Sequence, residues 1–243
     1  MLCAGTGWED DTDFLEKFRA KLISQRVPLS VSIALTDRCN LHCVHCYLNP
    51  KRAREGYHLN ELSTDRFLTI LDDITELGCL FLLFTGGEAL LRRDFAVLYR
   101  RAKMNGMVVT VFTNGTTVTE EIADLFAELP PYWVEVSVYG ASERTYQSIT
   151  GDSSAYRRCL SGIERLVKRN VRVQVKTILM KLNVHEFEQI EEMAKGFSAR
   201  FRFDGVIGTD SEGGKQPLQF RASPREIAVK EVRTLELREE WKG

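Results

Sequence analysis

The sequence predicts an α/β fold, a partial (βα)6 TIM-like barrel of parallel strands, and three observations carry that expectation. Six short β-branched or apolar runs alternate with five amphipathic stretches of helical spacing. Such alternation implies parallel pairing with right-handed crossovers. The run Leu80–Phe84 is apolar without a break, the pattern of a strand covered on both faces. The chain, at 243 residues, is long enough for one large domain with a substantial core. An open or closed βα barrel is the natural architecture, and a doubly wound sheet has the same alternation.

The elements follow in order. Asp11–Ser24 reads as a helix leading into a first strand, Leu29–Leu35. Thr64–Leu77 is helical by the spacing of Phe67, Ile70, Leu71, Ile74 and Leu77, with Ser63 or Thr64 to cap it and Gly78 to end it. Leu80–Phe84 is strand two, Phe95–Met104 a helix ended by Asn105-Gly106, and Met107–Phe112 strand three. Glu120–Leu129 is a helix stopped by Pro130-Pro131, and Trp133–Val138 is strand four. Glu143–Ile149 and Ala155–Arg169 form a helical region broken at Thr150-Gly151-Asp152, and Val171–Met180 is strand five. His185–Lys195 is helical and Arg200–Ile207 is strand six. Thr209–Gln219, with Gly213-Gly214 and Pro217, reads as a surface loop. Ser223-Pro224-Arg225-Glu226 opens a C-terminal helix with a capping box. The expected organisation is a helical lead-in over 1–28, a core barrel over 29–207, and a loop and helix over 208–243.

Composition narrows the function classes. Lys and Arg total 33 against 34 Asp and Glu, so net charge makes no case for nucleic acid or an anionic membrane as partner. No apolar run is long enough to span a bilayer, and Met1–Asp13 turns acidic where an export signal needs a basic start. A cytoplasmic protein is expected. Of six cysteines, Cys39, Cys43 and Cys46 fall within eight residues, which in a reducing compartment favours metal binding over cross-linking. Cys3, Cys79 and Cys159 read as ordinary residues of a tail, a strand and a helix.

The segment Cys39-Asn40-Leu41-His42-Cys43-Val44-His45-Cys46 lies directly after strand one. Parallel βα folds place their chemistry on loops at the carboxyl ends of strands. Three thiolates at this spacing can wrap one face of a cubane iron–sulfur cluster and leave its fourth iron without a protein ligand. Zinc, with His42 or His45 as a fourth ligand, answers to the same soft donors.

The cysteine loop, set in Thr36-Asp37-Arg38-Cys39-Asn40-Leu41, closely resembles that of the radical S-adenosylmethionine (SAM) superfamily. The resemblance continues in order along the chain: Thr85-Gly86-Gly87-Glu88 after strand two, Thr113-Asn114-Gly115 after strand three, Ser137-Val138-Tyr139-Gly140 at the end of strand four. It covers roughly Val31 to Ile207 and, through the combined motifs, sets the zinc reading well behind. It implies a [4Fe-4S] cluster on Cys39, Cys43 and Cys46. It implies that Gly86, Gly87 and Glu88 meet the amino group of SAM and that Thr113 and Asn114 bond its polar groups. Ser137 matches the ribose or carboxylate position, and Tyr47 an aromatic whose backbone contacts adenine. The carboxylate anchor of some relatives, an arginine shortly after the strand-four motif, has no match in Gln147–Gly151, which leaves Lys176 or Arg158 as substitutes.

The implied chemistry is one-electron reduction of SAM, with electrons from an external donor, to methionine and a 5′-deoxyadenosyl radical that takes a hydrogen atom from substrate. The stretches Ser137–Gly151, Lys176–Met180 and Phe203-Asp204-Gly205 resemble the SPASM-type maturases, which implies a peptide or protein substrate. Those relatives carry a cysteine-rich C-terminal extension, whereas no cysteine follows Cys159 here. Alternatives of other classes are a non-catalytic iron–sulfur sensor or carrier, and a zinc-stabilised binding module. An intact Gly86-Gly87-Glu88 argues against a sensor, which needs no SAM site.

Overall fold

Phe84, Phe95, Tyr99 and Phe126 show why strands and helices of this sequence assemble as layers. Their rings interlock at centroid distances of 5.0 to 6.1 Å, and each is at most 1% exposed. Burial of each such side chain contributes about 1.5–3 kcal/mol. The structure is a computed structural model that describes residues 27–48 and 61–237, with Glu16, Lys17, Arg19, Ala20, Ile23 and Ser24.

Six strands form one parallel sheet in chain order: β1 Ser30–Ala34, β2 Phe81–Thr85, β3 Val108–Thr113, β4 Trp133–Ser137, β5 Val173–Ile178 and β6 Arg200–Asp204. β1 and β6 are the two edges, so the barrel is open. The crossovers carry α1 Thr64–Glu76, α2 Phe95–Met104, α3 Glu120–Glu128, the pair α4 Glu143–Thr150 and α5 Ala155–Lys168, and α6 Phe187–Gly196. α7, Pro224–Leu237, follows β6. Side chains alternate across each strand. Val109 and Val111, Val134 and Val136, and Val173 and Val175 are buried in the core shared with the helices.

The alternate positions carry polar chemistry. Glu135 of β4, 5% exposed, is bonded by Arg202 of β6 at 2.7 Å, with Lys176 of β5 at 3.7 Å. The Lys176 ammonium also lies 5.4 Å from the centre of the Phe112 ring.

Local signals resolve as their chemistry dictates. Ser63 caps α1 by accepting the Arg66 N–H, and Gly78 beyond its end has φ +88°. Ser223 and Glu226 form a reciprocal capping box at α7. The expected N-terminal helix falls mostly outside the described residues, and its described members are helical. The expected surface loop Thr209–Gln219 differs. Gln216–Phe220 is a short 3-10 helix whose Pro217 is buried, and Met180 pairs with Arg221 in an isolated antiparallel bridge. Tertiary contact overrides the loop composition there.

Candidate functional site

The site begins where β1 and β2 run out. Backbone pairing continues past both strands: Leu35 donates to Thr85 O at 2.9 Å, Gly87 to Thr36 O at 2.7 Å, and Glu88 to Arg38 O at 2.8 Å. A Cβ on Gly86 would stand 2.4 Å from Thr36 O, and one on Gly87 2.3 Å from Arg38 O. Both glycines are therefore demanded by the chain's own backbone. Gly86 also holds φ +142°, a conformation side chains rarely adopt.

Glu88 is 1% exposed, and its carboxylate is engaged within the protein. Oε1 accepts the Thr113 hydroxyl at 2.8 Å and the Leu90 N–H at 3.1 Å, while Oε2 accepts the Asn114 N–H at 2.7 Å. Burial pushes its carboxyl up from the ordinary range, against the pull of these donors. Asn114 passes the connection on: its amide donates to Asn40 Oδ1 at 2.9 Å and approaches Cys39 Sγ at 3.9 Å. The loops after β1, β2 and β3 are thus one hydrogen-bonded unit.

The cysteine loop is pinned from its other side by α4. His42 donates its N–H to Thr150 O and Val44 to Ile149 O, each at 2.9 Å. Leu41 is buried in the main core, and Val44 packs against a second apolar cluster of Ile149, Met180 and Ile207. Cys39, Cys43 and Cys46 line one cavity of about 200 Å³ with Leu41, His42, Val44 and Leu48. Burial pushes the Cys39 thiol up to about 11, with Glu88 and Cys46 adding to it. It pushes Cys43 well up, with Cys39 and Cys46 adding, and raises Cys46 as well. Three thiols that feel one another across a single cavity are the donor set that soft iron–sulfur chemistry asks for. Among the described residues, no group of three or more His, Cys, Asp or Glu side chains is placed to hold one metal ion. A mononuclear site needs every ligand within bonding distance of a single point, whereas a cubane offers each thiolate its own iron. Three thiols on one cavity are a donor set that fits a cluster with one iron left open.

Other candidates fall as follows. The Tyr47 hydroxyl reaches Gly86 O at 3.4 Å. Ser137, at the end of β4, stands opposite Lys176 of β5 in the parallel register. Arg158 is paired with Asp152 at 2.6 Å on the helical side. Cys79 and Cys159 are buried, and Cys3 lies outside the described residues. His45 is 7% exposed, its ring set edge-on to Tyr139 at 4.6 Å, and Nδ1 has no hydrogen-bond partner. Burial pushes that imidazole down to about 4. The sequence offers His45, with His42, as a fourth zinc ligand, and gives no role to Asp37, Asp210, Gln216, Pro217 and Phe220, which complete the cavity wall. No local signal marks them, because only the fold brings residues 210–220 back to the cysteines.

A family model, the Radical SAM superfamily, matches residues 33–196, a span that includes the loops after β1, β2, β3 and β4 but not the wall at 210–220. The chain belongs to the radical SAM superfamily. Relatives within it include an AdoMet-dependent heme synthase of Methanosarcina barkeri, 33% identical over 172 residues, 71% of this chain and 48% of that protein. A PqqA peptide cyclase of Bradyrhizobium diazoefficiens is 27% identical over 180 residues, 74% of this chain and 47% of that protein. This chain spans about half the length of such relatives. Among solved structures, Streptococcus suis SuiB bound to S-adenosylmethionine superposes with a TM-score of 0.73 at 16% identity, covering 97% of this chain and 56% of SuiB. At that identity the likeness shows the fold, that of the radical SAM partial barrel.

Proposed function

We propose that this chain is the core of a radical SAM enzyme that modifies a peptide or protein, with a [4Fe-4S] cluster on Cys39, Cys43 and Cys46. The observation that carries the reading is the joining of three thiols in one cavity to the Gly86–Glu88 and Thr113–Asn114 loops by direct hydrogen bonds. When bound, the cluster and SAM supply a 5′-deoxyadenosyl radical able to remove a hydrogen atom from substrate. The protein's own residues do the holding. Gly86 and Gly87 bring the β2 loop against Thr36–Arg38, and Glu88 locks it to the β3 loop. Ser137, Thr113, Asn114 and Tyr47 present polar groups to SAM around that frame. The electron comes from an external donor, and the setting is cytoplasmic.

A peptide substrate is supported by two relatives, the PqqA peptide cyclase and the sporulation killing factor maturation protein of Bacillus subtilis, 27% identical over 192 residues. A second reading, a tetrapyrrole substrate, is favoured by the two Methanosarcina barkeri relatives at 33% identity, named as AdoMet-dependent heme synthase and Fe-coproporphyrin III synthase.

The test is EPR of the reconstituted, reduced protein with and without SAM. A four-iron signal that shifts on adding SAM is expected, and a signal indifferent to SAM overturns the enzyme reading. Formation of 5′-deoxyadenosine stimulated by a peptide encoded beside the gene, and not by tetrapyrroles, selects the first substrate class.

A further inference from the structure

The cavity that holds the three cysteines has a wall that no motif accounts for. Asp210, Gln216, Pro217 and Phe220 line it opposite the cysteine loop, although they lie more than a hundred residues further along the chain. Their segment is fastened at both ends. At one end the Ser211 N–H donates to Tyr47 O at 2.7 Å, next to Cys46. At the other, Lys181 donates to Phe220 O at 2.9 Å, and Arg221 Nε to Ile207 O at 2.7 Å. Between the fastenings, Pro217 is buried and Phe220 packs against the same apolar cluster as Val44, the residue following Cys43. Asp210 closes the turn itself, its Oδ1 accepting the N–H groups of Glu212 and Gly214.

We propose that Asp210–Phe220 is a strap across the cysteine cavity whose Pro217 and Phe220 keep water from the metal centre. The inference rests on the cluster assignment proposed above and extends it to the residues that protect the cluster. The physical reason is that the apolar shell around an iron–sulfur centre controls solvent access, and with it lability and reduction potential. The cysteine loop supplies one side of that shell through Leu41 and Val44, and the strap supplies the other.

Two variants test it in the reconstituted full chain. Phe220→Ala opens the apolar wall. Ser211→Pro removes the donor to Tyr47 O. Ser211 is the second residue of a turn closed by Gly213 N–H donating to Asp210 O at 3.0 Å, a position proline favours. The readout is the rate at which bathophenanthroline draws iron from the cluster under argon, with Phe220→Leu as the conservative control. Both Phe220→Ala and Ser211→Pro are expected to lose iron faster, roughly tenfold, as outer-shell changes at metal sites do. Phe220→Leu is expected to stay near the wild-type rate. The iron content of the wild type reports on the cluster assignment separately, so a wild type without iron defeats that assignment rather than the strap. Iron release at the wild-type rate from Ser211→Pro and Phe220→Ala, with the cluster present in all, overturns the proposal. So does faster release from Phe220→Ala accompanied by a collapsed melting temperature of its apo form and no change in Ser211→Pro.

Discussion

Thr113 donates its hydroxyl to the Glu88 carboxylate at 2.8 Å, joining the loop after β3 to the loop after β2 inside the protein. The same carboxylate accepts the next backbone N–H, that of Asn114. In Glu88→Ala three donors lose their acceptor in a buried place, which costs on the order of 3 kcal/mol. The melting temperature is expected to fall and SAM affinity to weaken by equilibrium dialysis, with iron content retained. Unchanged SAM affinity would remove Glu88 from the site.

Gly87→Ala tests the backbone contact beside it. The new Cβ meets the Arg38 carbonyl oxygen at 2.3 Å and the Asp37 carbonyl oxygen at 2.7 Å, and backbone cannot turn aside as a flexible side chain does. The expected loss is about 1–3 kcal/mol, as for other overpacked positions, with impaired SAM binding. Urea denaturation of the apo-protein measures the first and dialysis the second.

Cys39→Ala, Cys43→Ala and Cys46→Ala are each expected to abolish cluster assembly, because each removes one of the three thiols that line the cavity among the described residues. Iron and sulfide analysis after reconstitution checks this. Full iron content in any one variant contradicts the ligand assignment. Cys79→Ser and Cys159→Ser are expected to retain iron.

A pH-dependent prediction attaches to Asp94, which holds Arg92 by two hydrogen bonds, at 2.8 and 2.6 Å. Arg92 in turn donates to Leu35 O at the mouth of β1. Hydrogen bonding from Arg92 keeps the Asp94 carboxyl below the ordinary aspartate range. A depressed pKa contributes stability above the unfolded value, and that contribution is lost as pH falls through the folded value. Wild type is therefore expected to exceed Asp94→Asn in melting temperature at neutral pH, with the gap closing in strongly acidic buffer. Glu61 lies 3.6 Å from Arg92 and keeps part of the guanidinium's partnership in the variant. A gap that widens on acidification contradicts the assignment.

Much of this was legible before any coordinates. The helical spacing in Thr64–Leu77 and the unbroken apolar run at Leu80–Phe84 announce α1 and β2 because local periodicity records which face is buried. The four loops of the site were legible for a different reason: each follows a strand directly, so their order along the chain is their arrangement around the sheet. The strap was not legible. Gly213, Gly214 and Pro217 carry the composition of a surface loop, and nothing local reports that Pro217 is buried or that Phe220 packs on the apolar cluster that also takes Val44. The internal engagement of Glu88 was hidden likewise, since a carboxylate after two glycines looks the same whether it faces a ligand or the protein.

The two bonds from His42 and Val44 to the carbonyls ending α4 bear on the order in which the molecule matures. The cysteine loop receives its shape from the helix beneath it, so its ordering cost belongs to the folding of the polypeptide rather than to the arrival of iron. On the proposed cluster assignment, its delivery resembles filling a finished mould. Unlike a zinc finger that exists only around its ion, the apo-chain is expected to keep a cooperative melting transition after a chelator has emptied it.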